Sequence, residues 1–245
     1  MTAKEQAFPS VWARPQRQRR EQPSLSREQI VAESIALLDE EGLDALSMRK
    51  LGTRLNAGAT SMYSHVSSKD ELIELTVDEI YREIEIPPLT TPDDWRAAAW
   101  TSAHSLRTAV LRHPWIASVL GEVSGASLGP NMLRMSEGLL TLFEEGGFDP
   151  DGANTALGTL FAYVLGQTTS EAAWLTKLAR SGQSEEEWMA RMLPAAEAAV
   201  RPFPRLRGQF EARMDAASQQ IRGSDFDLGL DVVLDGLAAL RARAV

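Results

Sequence analysis

The chain has 245 residues, 44% of them hydrophobic, no cysteine and a formal net charge of -9. That length holds one small and one larger domain, and the missing cysteines exclude disulfides, thiolate metal sites and thiol catalysis. No stretch reaches the roughly 18 consecutive apolar residues of a membrane span, and Met1 to Glu21 carry charges and prolines where a secretory leader would be apolar, so the expected location is cytoplasmic, without membrane contact.

The charge is unevenly spread. Residues 1–70 hold ten Lys/Arg against nine Asp/Glu, and the remainder holds 15 against 25. Ala45 to Lys69 contains Arg49, Lys50, Arg54 and Lys69 and no carboxylate. Charges more than about 10 Å away are largely screened at moderate salt, so a basic N-terminal face on an acidic body is compatible with a phosphate-rich partner.

Residues 1–24, with Pro9, Pro15, Pro23 and the run Arg14, Arg17, Arg19, Arg20, read as a flexible basic arm. Its alternatives are a place along a nucleic-acid backbone or minor groove and a solvated tail. Ser26 with Gln29 forms a capping box ahead of a helix with the stripe Val31, Ile35 and Leu38, which Gly42 ends in a left-handed conformation. Ser47 caps a short second helix with Leu51 and Leu55 inward, and Asn56-Ala57-Gly58 breaks it. A third runs from about Ala59 to His65, burying Met62 and Val66. Ser68 and Glu71 form another capping box for a fourth helix, about 69–85, carrying Leu72, Leu75 and Ile80 and stopping before Pro87-Pro88. Thr91-Pro92-Asp93-Asp94 opens the larger part, with proline in the first turn and acids at the positive end of the dipole. Helices are expected at about 93–112, 114–120, 129–145, 151–181, 184–199 and 225–243, with an irregular connection near Pro202 and Pro204 leading into a short helix. The reading is all-α: a basic arm over 1–24, a three-helix helix-turn-helix domain over 25–70 with the fourth helix as connector, and a helical bundle over 86–245 for ligand binding and dimerisation.

Two short helices joined by a tight turn, the second poor in bulk and charge at its start, are what a helix-turn-helix needs. The second must enter a major groove about 12 Å wide, so small residues face the bases. Ala57 to Ser61 meet that need. Ala59 or Thr60 suits a thymine methyl, and Thr60 or Ser61 a base edge or phosphate. Tyr63, His65 and Lys69 suit flanking phosphates, although Tyr63 equally suits the domain core, and Arg49 suits a phosphate or a guanine. Gly42-Leu43, the run Ser47-Met48-Arg49-Lys50-Leu51, and Tyr63-Ser64-His65-Val66 followed by Ser68-Lys69-Asp70-Glu71-Leu72 together resemble the DNA-binding domain of the TetR (tetracycline repressor) family over about residues 26–81. Leu111-Arg112-His113-Pro114-Trp115 further resembles the body of the tetracycline-repressor subgroup. The resemblance implies a dimeric repressor of a double-stranded operator released by a small molecule, with phosphate contacts from Tyr63, His65 and Lys69 and a base or phosphate contact from Arg49. Gly58-Ala59-Thr60 departs from a recognition helix that reads bases with a long amide or arginine.

For a small amphipathic effector the aromatic-rich body offers Trp100, His104, Phe161, Gln167 and Trp174 as candidates: apolar walls with a few placed polar groups. The same residues at helical spacing equally suit plain core. Three histidines without an i, i+4 pair give no metal-ligand spacing, and no cofactor is expected. No Gly-rich phosphate loop, nucleophile elbow or paired catalytic carboxylates stand out, so an enzyme is not expected. A homodimer is expected from the stripes Leu157, Leu160, Phe161, Val164, Leu165 and Leu228, Val232, Leu237, Leu240. The other open reading is a helical small-molecule-binding or interaction module without DNA function.

Overall fold

The computed structural model describes residues 25–123, 129–215 and 221–243, and among these it is helical with no strand. The arginines of the N-terminal arm lie outside the described residues.

Four helices form the head. In α1 (Arg27–Glu41) the Ser26 hydroxyl accepts from the Gln29 amide at 3.2 Å and the Gln29 side chain accepts from the Ser26 amide at 3.0 Å, so the expected box is present. Gly42 stops the helix at φ +79°, ψ 178°, a region open essentially only to glycine and distinct from the left-handed helical conformation expected. Ile30, Ser34 and Leu37 enter the core beside Val31 and Leu38, while Ile35 stays half-buried. The buried face is therefore broader than the Val31, Ile35, Leu38 stripe and is turned toward Leu37.

In α2 (Met48–Arg54) Ser47 accepts from the Lys50 amide at 3.2 Å, and Leu51 is fully buried. Asn56 makes the turn at φ +52°, as Asn tolerates. Gly58 is extended and begins α3 (Ala59–Tyr63), which ends two residues before the expected His65. Fully buried Met62 and Val66 hold it against the head. Gly52 is where α2 and the incoming turn meet: its carbonyl accepts from the Ala57 amide at 2.8 Å. A β-carbon there would lie 2.9 Å from the Ala57 carbonyl oxygen and 3.5 Å from Met62 Cγ. The connector α4 (Lys69–Tyr81) begins with Ser68 accepting from the Glu71 amide at 3.0 Å. The returning Glu71 carboxylate accepts from Ser67 at 2.7 Å, one residue earlier than a capping box requires. The helix ends at Tyr81, short of the expected residue 85, and Ile84 continues its buried side.

The body consists of α5 (Trp95–Arg112), α6 (Ile116–Val123), α7 (Pro130–Glu145), α8 (Pro150–Ser181), α9 (Glu185–Val200), α10 (Pro204–Asp215) and α11 (Ile221–Arg241). The 32-residue α8 is the central strut and packs against α5, α7 and α11. Trp95, Phe143 and Phe148 pack edge to face or tilted at centroid distances of 5.0–6.2 Å and close the end far from the head. On α8, Leu160 and Val164 are buried, and Leu157, Phe161 and Leu165 pack against the same core. That stripe serves its own subunit, so the expected use of it in dimerisation is corrected. The expected α11 stripe, by contrast, divides: Leu237 faces inward and Leu240 packs against the core, whereas Leu228 and Val232 are each 69% exposed.

Glycine at position 52 separates two opposed effects. Elsewhere in a helix Gly→Ala stabilises by about 1 kcal/mol, whereas overpacking against backbone costs about 1–3 kcal/mol. Gly52→Ala is expected to destabilise the chain by an amount in the second range. A rise in the urea midpoint would show that α2 and the turn do not meet as closely as described.

Candidate nucleic-acid interface and effector site

The α2–turn–α3 unit places Thr60, Ser61, Tyr63 and Lys69 on the exposed surface together with Arg49. Ala59 opens α3. Tyr63 is 53% exposed, so its ring is not a core element. No side-chain hydrogen bond or ion pair within the described residues engages Arg49, Thr60, Tyr63 or Lys69, which leaves their donors to solvent or a partner. His65 is half-buried, and its carbonyl accepts from Arg27 Nε at 3.3 Å, tying the end of α3 to the start of α1.

The four cations of the carboxylate-free segment divide into two pairs. Arg54 binds Glu40 at 2.6 Å and also binds Glu33, while Lys50 binds Glu41. These hydrogen bonds raise the guanidinium further above its ordinary value and hold the Glu40 carboxyl below the usual carboxylate range. The acids of α1 thus neutralise two cations of α2, and the basic face contributed by this segment reduces to Arg49 and Lys69. Sequence separations of 9–21 residues hid these pairings.

Head and body meet at a buried corner formed by part of the Leu111–Trp115 segment. His113 is 3% exposed; its Nδ1 lies 2.8 Å from Asp39 Oδ1 on α1, and its Nε2 lies 3.2 Å from Glu83 Oε1 just beyond α4. Trp115 donates to the same Asp39 oxygen at 2.8 Å, and Arg112 donates to Glu83 at 2.7 Å. Spacing alone gives no sign of this joint, because its partners lie about 30 to 76 residues apart in sequence.

The five effector candidates are not gathered into one site. Phe161 lines an apolar pocket with Ile84, Ser102, Leu106, Met135 and Leu139, whose free volume is only about 10 Å³. Tyr81 stacks on Phe161 with ring centroids 6.4 Å apart, and burial, aided by the Asp78 charge, pushes its phenol up to about 12. The other four candidates gather around Phe226 at the α5–α8–α11 seam. The His104 ring lies tilted against Trp100 with centroids 3.8 Å apart and meets the Phe226 ring edge to face at 5.2 Å. Gln167 and Trp174 line a groove of about 280 Å³ that Phe226 also borders.

His104 Nε2 is 3.0 Å from Asp227 Oδ1, close enough for an ion pair, but the groups are not aligned for a hydrogen bond. Burial holds the imidazole below its ordinary value; Asp227 opposes that shift and Arg107 reinforces it. Arg107 grips both oxygens of Glu171 at 2.8 Å through Nη2, while its Nε and the Thr168 hydroxyl are buried without partners. Among the described residues no cluster of His, Asp and Glu has the grouping needed to hold a metal ion, and no helix is long and apolar enough to cross a membrane.

Two family models cover this architecture. Residues 30–76 match the model of bacterial regulatory proteins of the tetR family, and residues 87–241 match the tetracyclin repressor-like C-terminal domain. An HTH-type transcriptional regulator of Saccharopolyspora erythraea is 35% identical, with 98% of each chain covered. The HTH-type transcriptional repressor DrrR1 of Streptomyces coeruleorubidus is 30% identical over 90% of this chain and 80% of its own length. Among solved structures, apo ActR from Streptomyces coelicolor superposes with a TM-score of 0.73 at 27% identity, covering 91% of this chain and 99% of that one. ActR in complex with actinorhodin gives the same TM-score at 28% identity, with 89% and 97% covered. Head, connector and body together therefore carry one family signature, and the chain belongs to the TetR family of transcriptional regulators.

Proposed function

We propose that the chain is a ligand-responsive repressor that binds a palindromic operator as a homodimer and is released from it by a small amphipathic molecule. Residues 25–70 are the DNA-reading unit, α4 is the connector, and 86–245 form the effector and dimerisation unit. The observation that carries the reading is the division of cations in the carboxylate-free segment: among the described residues Arg49 and Lys69 stay unpaired and exposed beside Thr60, Ser61 and Tyr63, while Lys50 and Arg54 serve the fold. In this reading Ala59, Thr60 and Ser61 meet base edges, and Arg49, Tyr63, His65 and Lys69 hold the backbone on either side. Two such heads read half-sites about 34–36 Å apart or a multiple of that. DrrR1 is named a repressor, which supports the same sign here.

The dimer face we assign is the outward side of α8 and α11. On α8 it is built of exposed small residues, Gly158, Thr159, Ala162, Gly166 and Ser170, with open space above both glycines. On α11 it carries the exposed pair Leu228 and Val232. Two copies approach closely on the small side and bury the apolar pair, forming a four-helix interface.

The effector site we assign is the closed apolar pocket around Phe161. Its lining is apolar apart from Ser102 and so complements the apolar part of a small amphipathic molecule. ActR has been crystallised with actinorhodin, a precedent within the same fold for a small-molecule ligand.

Four measurements test these assignments. Selection from a random duplex pool is expected to yield a palindrome, and Lys69→Ala to weaken binding evenly across sequences while lowering the salt slope by about 1. No enrichment would favour a ligand-binding module without DNA function, and an unchanged slope would remove Lys69 from the phosphate contacts. Val232→Glu is expected to shift the chain to monomer in sedimentation and to weaken operator binding; a dimer that persists would place the interface elsewhere. Because His104 is favoured neutral in the fold, its folded value lies below the unfolded one, about 6.5. As pH falls through that value the unfolded chain takes up the proton first and stability declines. Between about pH 7.5 and about pH 5.5, the wild type is expected to lose more stability to denaturant than His104→Gln, and equal losses would refute the neutral assignment.

A further inference from the structure

The connector and one wall of the closed pocket are fastened together. The first turn of α7 has no side-chain cap of its own, since its capping residue is Gly129. The cap comes from α4, more than fifty residues earlier. Asp78 accepts from the Met132 amide at 3.0 Å, from the Asn131 amide at 3.2 Å and from Asn131 Nδ2 at 3.0 Å. A carboxylate on free amides at the positive end of a helix dipole is a strong, directional contact. Glycine is what admits it: a β-carbon at Gly129 would lie 2.0 Å from Asp78 Oδ1.

The reverse contact is made one turn along. Arg134 Nη2 on α7 donates to the carbonyls of Tyr81 and Arg82, at 3.3 and 3.4 Å, where α4 ends. A second glycine on α7, Gly138, receives Ile86, whose Cδ1 would be 2.9 Å from an added β-carbon. Each of the two helices therefore satisfies the other's free backbone groups, and they interlock at three successive points. On the same helix Met135 and Leu139 line the pocket that Phe161 borders, and Ile84, just after α4, lines it from the connector side.

We propose that Asp78 and Arg134 are coupling residues that make α4 ride on α7, so that opening the closed pocket by displacing α7 necessarily moves the DNA-reading head. This deepens the effector reading above and rests on it. A pocket with about 10 Å³ free cannot accept a molecule of the size that ordinary sites of 300–1,000 Å³ hold unless a wall moves. With the latch closed, movement of the α7 wall carries the connector. With the latch broken, the wall can move and leave α4 behind.

The test replaces the unknown effector with a built-in wedge. Ala103, 1% exposed and lining the pocket, is enlarged by Ala103→Leu, with Leu106→Phe as the substitute should that variant not fold. In the full-length chain the wedge is expected to lower affinity for duplex recovered from the random pool by roughly 5–150-fold, the ordinary size of an allosteric coupling. Asp78→Asn, or Gly129→Ala, which crowds the same carboxylate, is expected to restore most of that loss when combined with the wedge, though neither variant alone strengthens DNA binding. A wedge effect that persists undiminished in the double variants overturns the proposal, as does a wedge without effect in a chain that binds DNA. A second readout needs no DNA. The chain has no cysteine, so Glu74→Cys on α4 and Ala97→Cys on the exposed side of α5 take a nitroxide pair without background. In spin-diluted samples the wedge is expected to shift their distance distribution with the latch intact and to leave it in place with Asp78→Asn. If the wild type ignores duplex, the repressor reading fails and this distance measurement alone decides the coupling.

Discussion

A helix of five residues has no stability of its own, because the cost of nucleation is not recovered over so short a length. The direction in which α3 points is therefore set by what it is pressed against. Fully buried Met62 and Val66 anchor it from below, and Gly52 lets the turn before it come within hydrogen-bond reach of α2. The surface left over carries the side chains assigned to DNA. Its composition follows from the same constraint: bulky residues at Thr60 or Ser61 would gain no packing, since those positions already face outward.

The charge of the chain obeys a similar division. A net of -9 would repel a polyanion if it were spread evenly, but screening limits each carboxylate to its own neighbourhood. Within the head, Glu33, Glu40 and Glu41 are occupied with Arg54 and Lys50. Such exposed pairs add little stability, typically below about 1 kcal/mol each. Their larger effect is geometric, since they span α1 and α2 and leave Arg49 free of acid partners. A strongly acidic protein can thus present a phosphate-seeking face through two free cations and several uncharged donors.

Local features were legible in the sequence because their physics is local. The Ser26–Gln29 box and the Ser47 cap each involve partners within a few residues and follow from spacing. Where such a reading slipped, a neighbouring group competed for the same role: the Ser67 amide captured Glu71. The effector candidates divide between two places for a different reason. Helical periodicity shows that Phe161 and Gln167 lie on α8 but not which neighbouring helix each one faces. Contacts that cross the fold left no periodic trace at all. Asp78 on Gly129 and Asn131, and His113 between Asp39 and Glu83, join residues roughly 30 to 75 apart, and a glycine ahead of a helix looks like an ordinary break.

Binding of DNA and of an effector must be opposed if both act through one displacement of α4, and linkage makes that opposition reciprocal. On the proposed reading, a pocket closed in the resting arrangement admits an effector only in the fraction of molecules in which α7 has moved, so its apparent affinity falls by that fraction. Operator DNA that holds the heads in place would lower the fraction further. The corner at His113 adds a second restraint: Asp39 on α1 and Glu83 beyond α4 are held by the same buried ring, so the head cannot pivot on α4 without disturbing α1 as well. Tight packing at both joints converts a small shift of the wall into movement of the whole head rather than bending of the connector, because close-packed interfaces slide between discrete arrangements more readily than they deform. The coupling would then reside in the polar contacts that join the two parts at these two joints.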